Sequence, residues 1–175
     1  MTKQHKIIII GGGSAGIMVA SRLLNHRQDL KGHITLIDPA EYHYYQPLWT
    51  IVGGGVAKLE ATRKKMSKVI PKGANWIQEA VKAIQPDEQT VTLHNGDVLP
   101  YDGLVVCPGL QLNWDGVKGL KETMGQNGVC SNYSPEYVKE TWRQIANFKR
   151  GTAIFTHPNT PIKCRGRPNE NHVFG

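Results

Sequence analysis

The sequence predicts an α/β fold built on a parallel sheet. Two short, wholly apolar runs, at 6–10 and 33–37, enclose a glycine-rich turn and an amphipathic stretch. A third such run follows at 103–107. β-branched runs of this kind, with no polar alternation, read as strands covered on both faces. Strand, turn, helix and strand in this order form a βαβ unit of the expected length.

Each element has a local reason. Residues 6–10 supply the first strand. Gly11, Gly13 and Gly16 form a turn, and from Ser14 the apolar residues Ile17, Ala20 and Leu24 recur at helical spacing to about His26. The strand at 33–37 ends at Asp38-Pro39. Residues 42–55 are aromatic and glycine-rich and read as a lining loop, and 57–69 as a short helix closed by Pro71. Residues 76–84 and 90–93 read as strands, with a hairpin turn signal at Asn95-Gly96-Asp97. The strand at 103–107 is stopped by Pro108-Gly109. Residues 135–148 read as a helix carrying Val138, Trp142 and Ile145 on one face. A strand at 152–156 and a loop at 158–164 follow.

Composition bounds the function. The 175 residues carry a formal net charge of +7, with 39% hydrophobic and 20% charged residues, which fits a globular chain. The densest basic run, Arg63-Lys64-Lys65 with Lys68, has no interleaved aromatics and no nucleic-acid motif, so nucleic acid is not expected. An anionic membrane surface suits the charge better. Three cysteines without CxxC spacing argue against a disulfide framework and a zinc site. The seven histidines show no HxH or HxxxH pair, so no metal is expected. The apolar N-terminal run is too short for a signal peptide or a span, which makes cytoplasmic synthesis with peripheral membrane contact the expectation.

The glycine turn carries the chemistry. Gly11 permits the tight turn, Gly13 lets the backbone approach a pyrophosphate, and Gly16 lets the helix pack closely. The helix N-terminus at Ser14 and Ala15, with its free N–H groups and macrodipole, favours an anion. Asp38 follows about 20 residues after the loop, where an acid accepts hydrogen bonds from ribose hydroxyls. FAD and NAD share this fingerprint. The inserted strand pair and the later strand ending in Cys107-Pro108-Gly109 resemble the order of flavoproteins with two dinucleotide-binding domains, whose first glycine loop holds FAD. Cys107 then reads as a small packed residue.

Four further stretches make the resemblance specific: residues 43–55 (HYYQPLWTIVGGG), 131–134 (SNYS), the Thr141-Trp142 helix and 158–164 (PNTPIKC). With the glycine loop, they resemble the sulfide:quinone oxidoreductases. The resemblance implies non-covalent FAD and a pair of flavin-facing cysteines that form a disulfide. Sulfide opens it to a persulfide and a thiolate, and two electrons pass through the flavin to a membrane quinone. It matches Gly11, Gly13, Ser14, Ala15 and Gly16 to the pyrophosphate loop and Asp38 to the ribose acid. Gln46, Val81 and Gly109 match flavin-nucleotide contacts, and Cys164 matches the first redox cysteine. Lys163 and the two prolines ahead of Cys164, Pro158 and Pro161, suit a directed, activated thiol. Cys130 is either a third thiol or a structural one. Tyr45 and Trp49 read as packing aromatics, with stacking near a flavin or quinone as the alternative.

The same resemblance sets expectations for organisation. Residues 1–150 correspond to the FAD-binding Rossmann-like domain and 151–164 to the start of a second domain. Family members are roughly twice this length or more. A permitted coding sequence for 165–175, read from its second base, translates as Ala-Gly-Ala-Pro-Thr-Lys-Ile-Met-Phe-Leu, the family continuation. The expectation is therefore an out-of-frame tail and an N-terminal fragment that is inactive alone. The alternatives are a non-catalytic FAD-binding fragment and a flavin reductase like the type II NADH dehydrogenases.

Overall fold

The computed structural model describes residues 5–156, which fall into two compact units: residues 5–44 with 63–111, and 45–62 with 112–156.

The first unit is built on a four-stranded parallel sheet. β1 (Ile7–Ile10) lies between β2 (Ile34–Ile37) and the later strand β9 (Gly103–Val106). α1 (Ser14–His26) crosses from β1 to β2 and buries Gly16, Ala20 and Leu24, the small and apolar stripe at four-residue spacing. The expected βαβ unit is thus present with nearly the expected bounds.

The remaining strands depart from the local reading. β3 (Tyr42–Tyr44) pairs antiparallel with β4 (Arg63–Lys65), and α2 (Trp49–Gly53) lies in the chain between them. The stretch 42–55 is therefore ordered rather than a loop. The single helix expected over 57–69 divides into a 3-10 turn at Leu59–Thr62, β4, and α3 (Met66–Val69). Charged β4 forms because its partner exists: the Arg63 guanidinium carbon stands 4.5 Å from the Tyr42 ring centroid, on the diagonal two residues from Tyr42's own partner, Lys65.

The strand expected over 76–84 is two strands in two sheets. β5 (Ala74–Ile77) is the outer neighbour of β2, while β6 (Val81–Gln85) pairs with β7 (Thr90–Leu93), and β7 with β8 (Val98–Pro100). The chain changes sheets at 78–80, where the Ala80 N–H donates to Glu79 Oε1 at 2.8 Å. The hairpin turn at Asn95–Asp97 forms as expected, closed by the Leu93 N–H on the Asp97 carbonyl at 2.8 Å.

The parallel sheet has a core on each face. Ile9, Ile34 and Leu36 face Ala20 and Leu24 of α1. Ile8 and Ile37 face Val91 and Leu93 of the β6–β8 sheet. Alternate residues of β1 thus serve opposite layers, which is why the strand is apolar throughout.

In the second unit α2 packs on α5 (Val138–Asn147); a one-turn helix, α4 (Leu120–Thr123), precedes α5. Glycines set the α2 contact. A Cβ on Gly53 would fall 2.2 Å from Asn132 Oδ1, and one on Gly55 2.3 Å from the Trp142 ring. The run Gly53-Gly54-Gly55 is thus a packing feature. The expected helix over 135–148 is present, slightly shorter, with Val138 and Thr141 buried and Trp142 half-exposed. The strand expected at 152–156 does not form: those residues are exposed and pair with no described strand, with Ile154 80% exposed.

Candidate functional site

The glycine loop closes the C-terminal edge of the parallel sheet, where open α/β sheets bind ligands. β1 ends in Gly11, whose φ is +100°. Its N–H donates to the Ile37 carbonyl at 2.8 Å, which ties the loop to the end of β2. The Cys107 N–H donates to the Ile10 carbonyl at 2.8 Å, which ties in the end of β9. A Cβ on Gly11 would stand 2.0 Å from the Cys107 carbonyl oxygen, and one on Gly16 1.9 Å from the Gly11 carbonyl oxygen. These two glycines let three backbone segments meet.

Gly13 is different. No atom of the chain lies within 4 Å of where its Cβ would be. It is the N-cap of α1, has an extended conformation, and no side chain caps the helix. The first turn of α1 holds no acidic residue, so nothing there competes with an incoming anion. The first N–H groups of a helix have no partners within it. A bare glycine facing open space before such a turn is a cradle that a pyrophosphate fits.

Asp38, at the end of β2, already holds the loop. Its Oδ2 accepts the Gly12 N–H at 2.6 Å and its Oδ1 accepts the Ala40 N–H at 2.8 Å. Each oxygen keeps a second lone pair for a hydroxyl donor. The fingerprint alone did not disclose this bond to the loop.

Three further side chains surround the loop without having been singled out. His43 Nδ1 lies 3.2 Å from the Gly12 carbonyl oxygen. Met66, 2% exposed, places Sδ and Cε 3.0 Å from where a Gly12 Cβ would be. The Trp76 indole N–H donates to the Asp38 carbonyl at 3.0 Å. No sequence pattern reports these contacts, since each joins elements separated along the chain.

The other expected site residues are placed as follows. Val81 opens β6, opposite Leu93, and packs on the core beneath the sheet. Gly109, at φ +77°, faces open space just beyond Cys107. These lie in the unit that holds the glycine loop; Gln46 and Cys130 lie in the other unit. Gln46 begins a 3-10 turn and is half-buried. Cys107 and Cys130 are free, half-buried thiols. Trp49 is buried and its indole N–H donates to Thr62 Oγ1 at 3.3 Å, a packing role, whereas Tyr45 is 54% exposed. Cys164 and the whole stretch 158–175 lie outside the described residues. Among the described residues no group of three or more His, Cys, Asp or Glu could hold a metal ion, and no helix is long and apolar enough to cross a membrane.

The chain is similar to known proteins in sequence and in fold. Residues 5–140 match the family model described as pyridine nucleotide-disulphide oxidoreductase. A mitochondrial sulfide:quinone oxidoreductase of Dictyostelium discoideum is 48% identical over 94% of the chain. The mouse mitochondrial sulfide:quinone oxidoreductase is 37% identical over 95% of it. The crystal structure of the Aquifex aeolicus sulfide:quinone oxidoreductase superposes with a TM-score of 0.68 at 30% identity, covering 81% of this chain and 32% of that one. The chain spans 36% and 37% of the length of the slime-mould and mouse relatives.

Proposed function

The chain belongs to the pyridine nucleotide-disulphide oxidoreductase family, and on that footing we propose that its glycine loop holds the FAD of a sulfide:quinone oxidoreductase. Members of the family are FAD-dependent. The observation that carries the reading is Gly13: open to solvent, without a side-chain cap, at the start of α1 and between the ends of three strands.

In this reading the N–H groups of Gly13, Ser14, Ala15 and Gly16 take the pyrophosphate. The free lone pairs of Asp38 take ribose hydroxyls, and a 2′-phosphate is repelled by the same carboxylate. Val81 and Gly109 supply further contacts to the dinucleotide. When bound, FAD supplies a two-electron acceptor beside the sulfur chemistry. Cys164 supplies the first of two redox thiols. In the net reaction sulfide loses two electrons and leaves as sulfane sulfur, and a membrane quinone gains two electrons and two protons. The relatives' names and the positions of the fingerprint residues support this assignment.

That chemistry needs a second cysteine beside the flavin, and only Cys164 matches one of the pair. The 175-residue chain on its own therefore binds FAD without turning over. The reaction class is tested in a chimera, with residues 6–164 replacing the matching segment of the Dictyostelium relative. Sulfide-dependent quinone reduction that is lost in Cys164→Ser is the expected result. Reduction driven by NADH instead, and indifferent to Cys164→Ser, would reassign the chain to NADH:quinone chemistry.

A further inference from the structure

The Gly12 peptide neighbours are gripped on both sides, although Gly12 is not one of the three fingerprint glycines. Its N–H donates to Asp38 Oδ2 at 2.6 Å. Its carbonyl oxygen faces His43 Nδ1 at 3.2 Å. A carbonyl oxygen only accepts, so Nδ1 carries the proton and donates. The Met66 side chain closes the third side.

The consequence follows from peptide planarity. The carbonyl of Gly12 and the N–H of Gly13 belong to one rigid unit and point in opposite directions across it. Drawing the carbonyl toward His43 therefore aims the Gly13 N–H away from His43. The α-carbon that follows this N–H is itself open to a ligand: no atom lies within 4 Å of a would-be Gly13 Cβ. Asp38 fixes the preceding peptide in the same way, through the Gly12 N–H. The ring itself is held by the ribbon: His43 is the central residue of β3, opposite Lys64 of β4, with pairs Tyr42–Lys65 and Tyr44–Arg63 on either side. Directly opposite residues share a face, and this one looks onto the loop.

We infer that His43 is a positioning residue for the dinucleotide: its Nδ1–H sets the plane of the Gly12–Gly13 peptide so that the Gly13 N–H is aimed at the pyrophosphate before it arrives. The role rests on the FAD reading given above. It also gives the β3–β4 ribbon, which belongs to no fingerprint, a purpose at the site. Preorganising a donor lowers the cost of ordering it on binding.

The test is an FAD titration of the 175-residue chain, followed by flavin fluorescence, on wild type, His43→Phe and His43→Asn. Phenylalanine keeps a ring but has no donor, whereas the Asn amide nitrogen can replace Nδ1–H. One hydrogen bond of this kind is worth about a three- to tenfold change in Kd. We expect that loss in His43→Phe, recovery toward wild type in His43→Asn, and the same melting temperature for the FAD-free forms of both. Equal FAD affinity in wild type and His43→Phe overturns the inference. So does equal weakening in both variants, which marks a merely structural ring. If His43→Phe fails to fold, His43→Gln, whose longer amide does not reach the Nδ1 position, takes its place against His43→Asn. A wild-type chain that binds no FAD fails the underlying reading, and the inference with it, and is told apart by the wild-type titration alone.

Discussion

The carbonyl oxygen of Cys107 occupies the space that a side chain on Gly11 would need: the distance to the would-be Cβ is 2.0 Å. Gly11 also holds a φ of +100°, a conformation that L side chains rarely adopt. Gly11→Ala therefore meets both backbone strain and a backbone clash, and must push the ends of β1 and β9 apart. A loss of about 3–5 kcal/mol is expected, together with loss of flavin. Chemical denaturation of the variant measures it, and a stability within 1 kcal/mol of wild type, on the order of an ordinary substitution, would contradict the contact.

Gly13→Ala separates fold from ligand. Its φ is −72° and its Cβ would meet nothing within 4 Å, so the FAD-free protein should melt close to wild type. In the proposed site the added methyl would stand where a pyrophosphate approaches. FAD affinity is expected to fall at least about tenfold, a loss on the order of 1.4 kcal/mol. Paired thermal melts and flavin titrations check both halves, and a variant that binds FAD like wild type would remove Gly13 from the site.

Asp38→Asn leaves one carbonyl oxygen where two carboxylate oxygens now accept the Gly12 and Ala40 N–H groups. One of those bonds is lost and the other is no longer charge-assisted. The expected cost is about 1–3 kcal/mol of stability, measured by urea denaturation, with weakened FAD binding alongside. A destabilisation without any change in FAD affinity would make Asp38 a loop anchor and nothing more.

The parts of this molecule that were legible in the sequence are those whose causes are local. β1, the glycine turn, α1 and β2 follow from Ile7–Ile10, from Gly11, Gly13 and Gly16, and from the stripe Ala20 and Leu24, all within one βαβ unit. The β3–β4 ribbon was not legible, because Arg63-Lys64-Lys65 has little strand preference of its own and forms a strand only against Tyr42-His43-Tyr44. Gly53 and Gly55 read as loop residues for the same reason: what makes them necessary is Asn132 and Trp142, far downstream. The site divides likewise. The fingerprint marks Gly11, Gly13, Gly16 and Asp38, which lie within one βαβ unit, while His43, Met66 and Trp76, which reach the loop and Asp38 from other elements, carry no pattern of their own.

Gly55→Ala tests the second unit by itself. The residue has a φ of +76°, and its Cβ would lie 2.3 Å from the Trp142 ring, so the α2–α5 contact must open. Gly109→Ala has nearly the same φ, +77°, with open space around it, and isolates the conformational strain. Strain alone costs about 1–2 kcal/mol, and Gly55→Ala should exceed that by a further 1–3 kcal/mol of overpacking. Equal losses in the two variants, measured by denaturation, would mean that Trp142 yields without cost.

The central claim is that this chain holds FAD on the loop between β1 and α1. The most direct measurement is an equilibrium titration of FAD into the purified 175-residue protein, read by flavin fluorescence, with Gly13→Ala titrated beside it. The account predicts saturable binding at one FAD per chain, weakened in Gly13→Ala. No saturable change, or the same curve for both proteins, would contradict it.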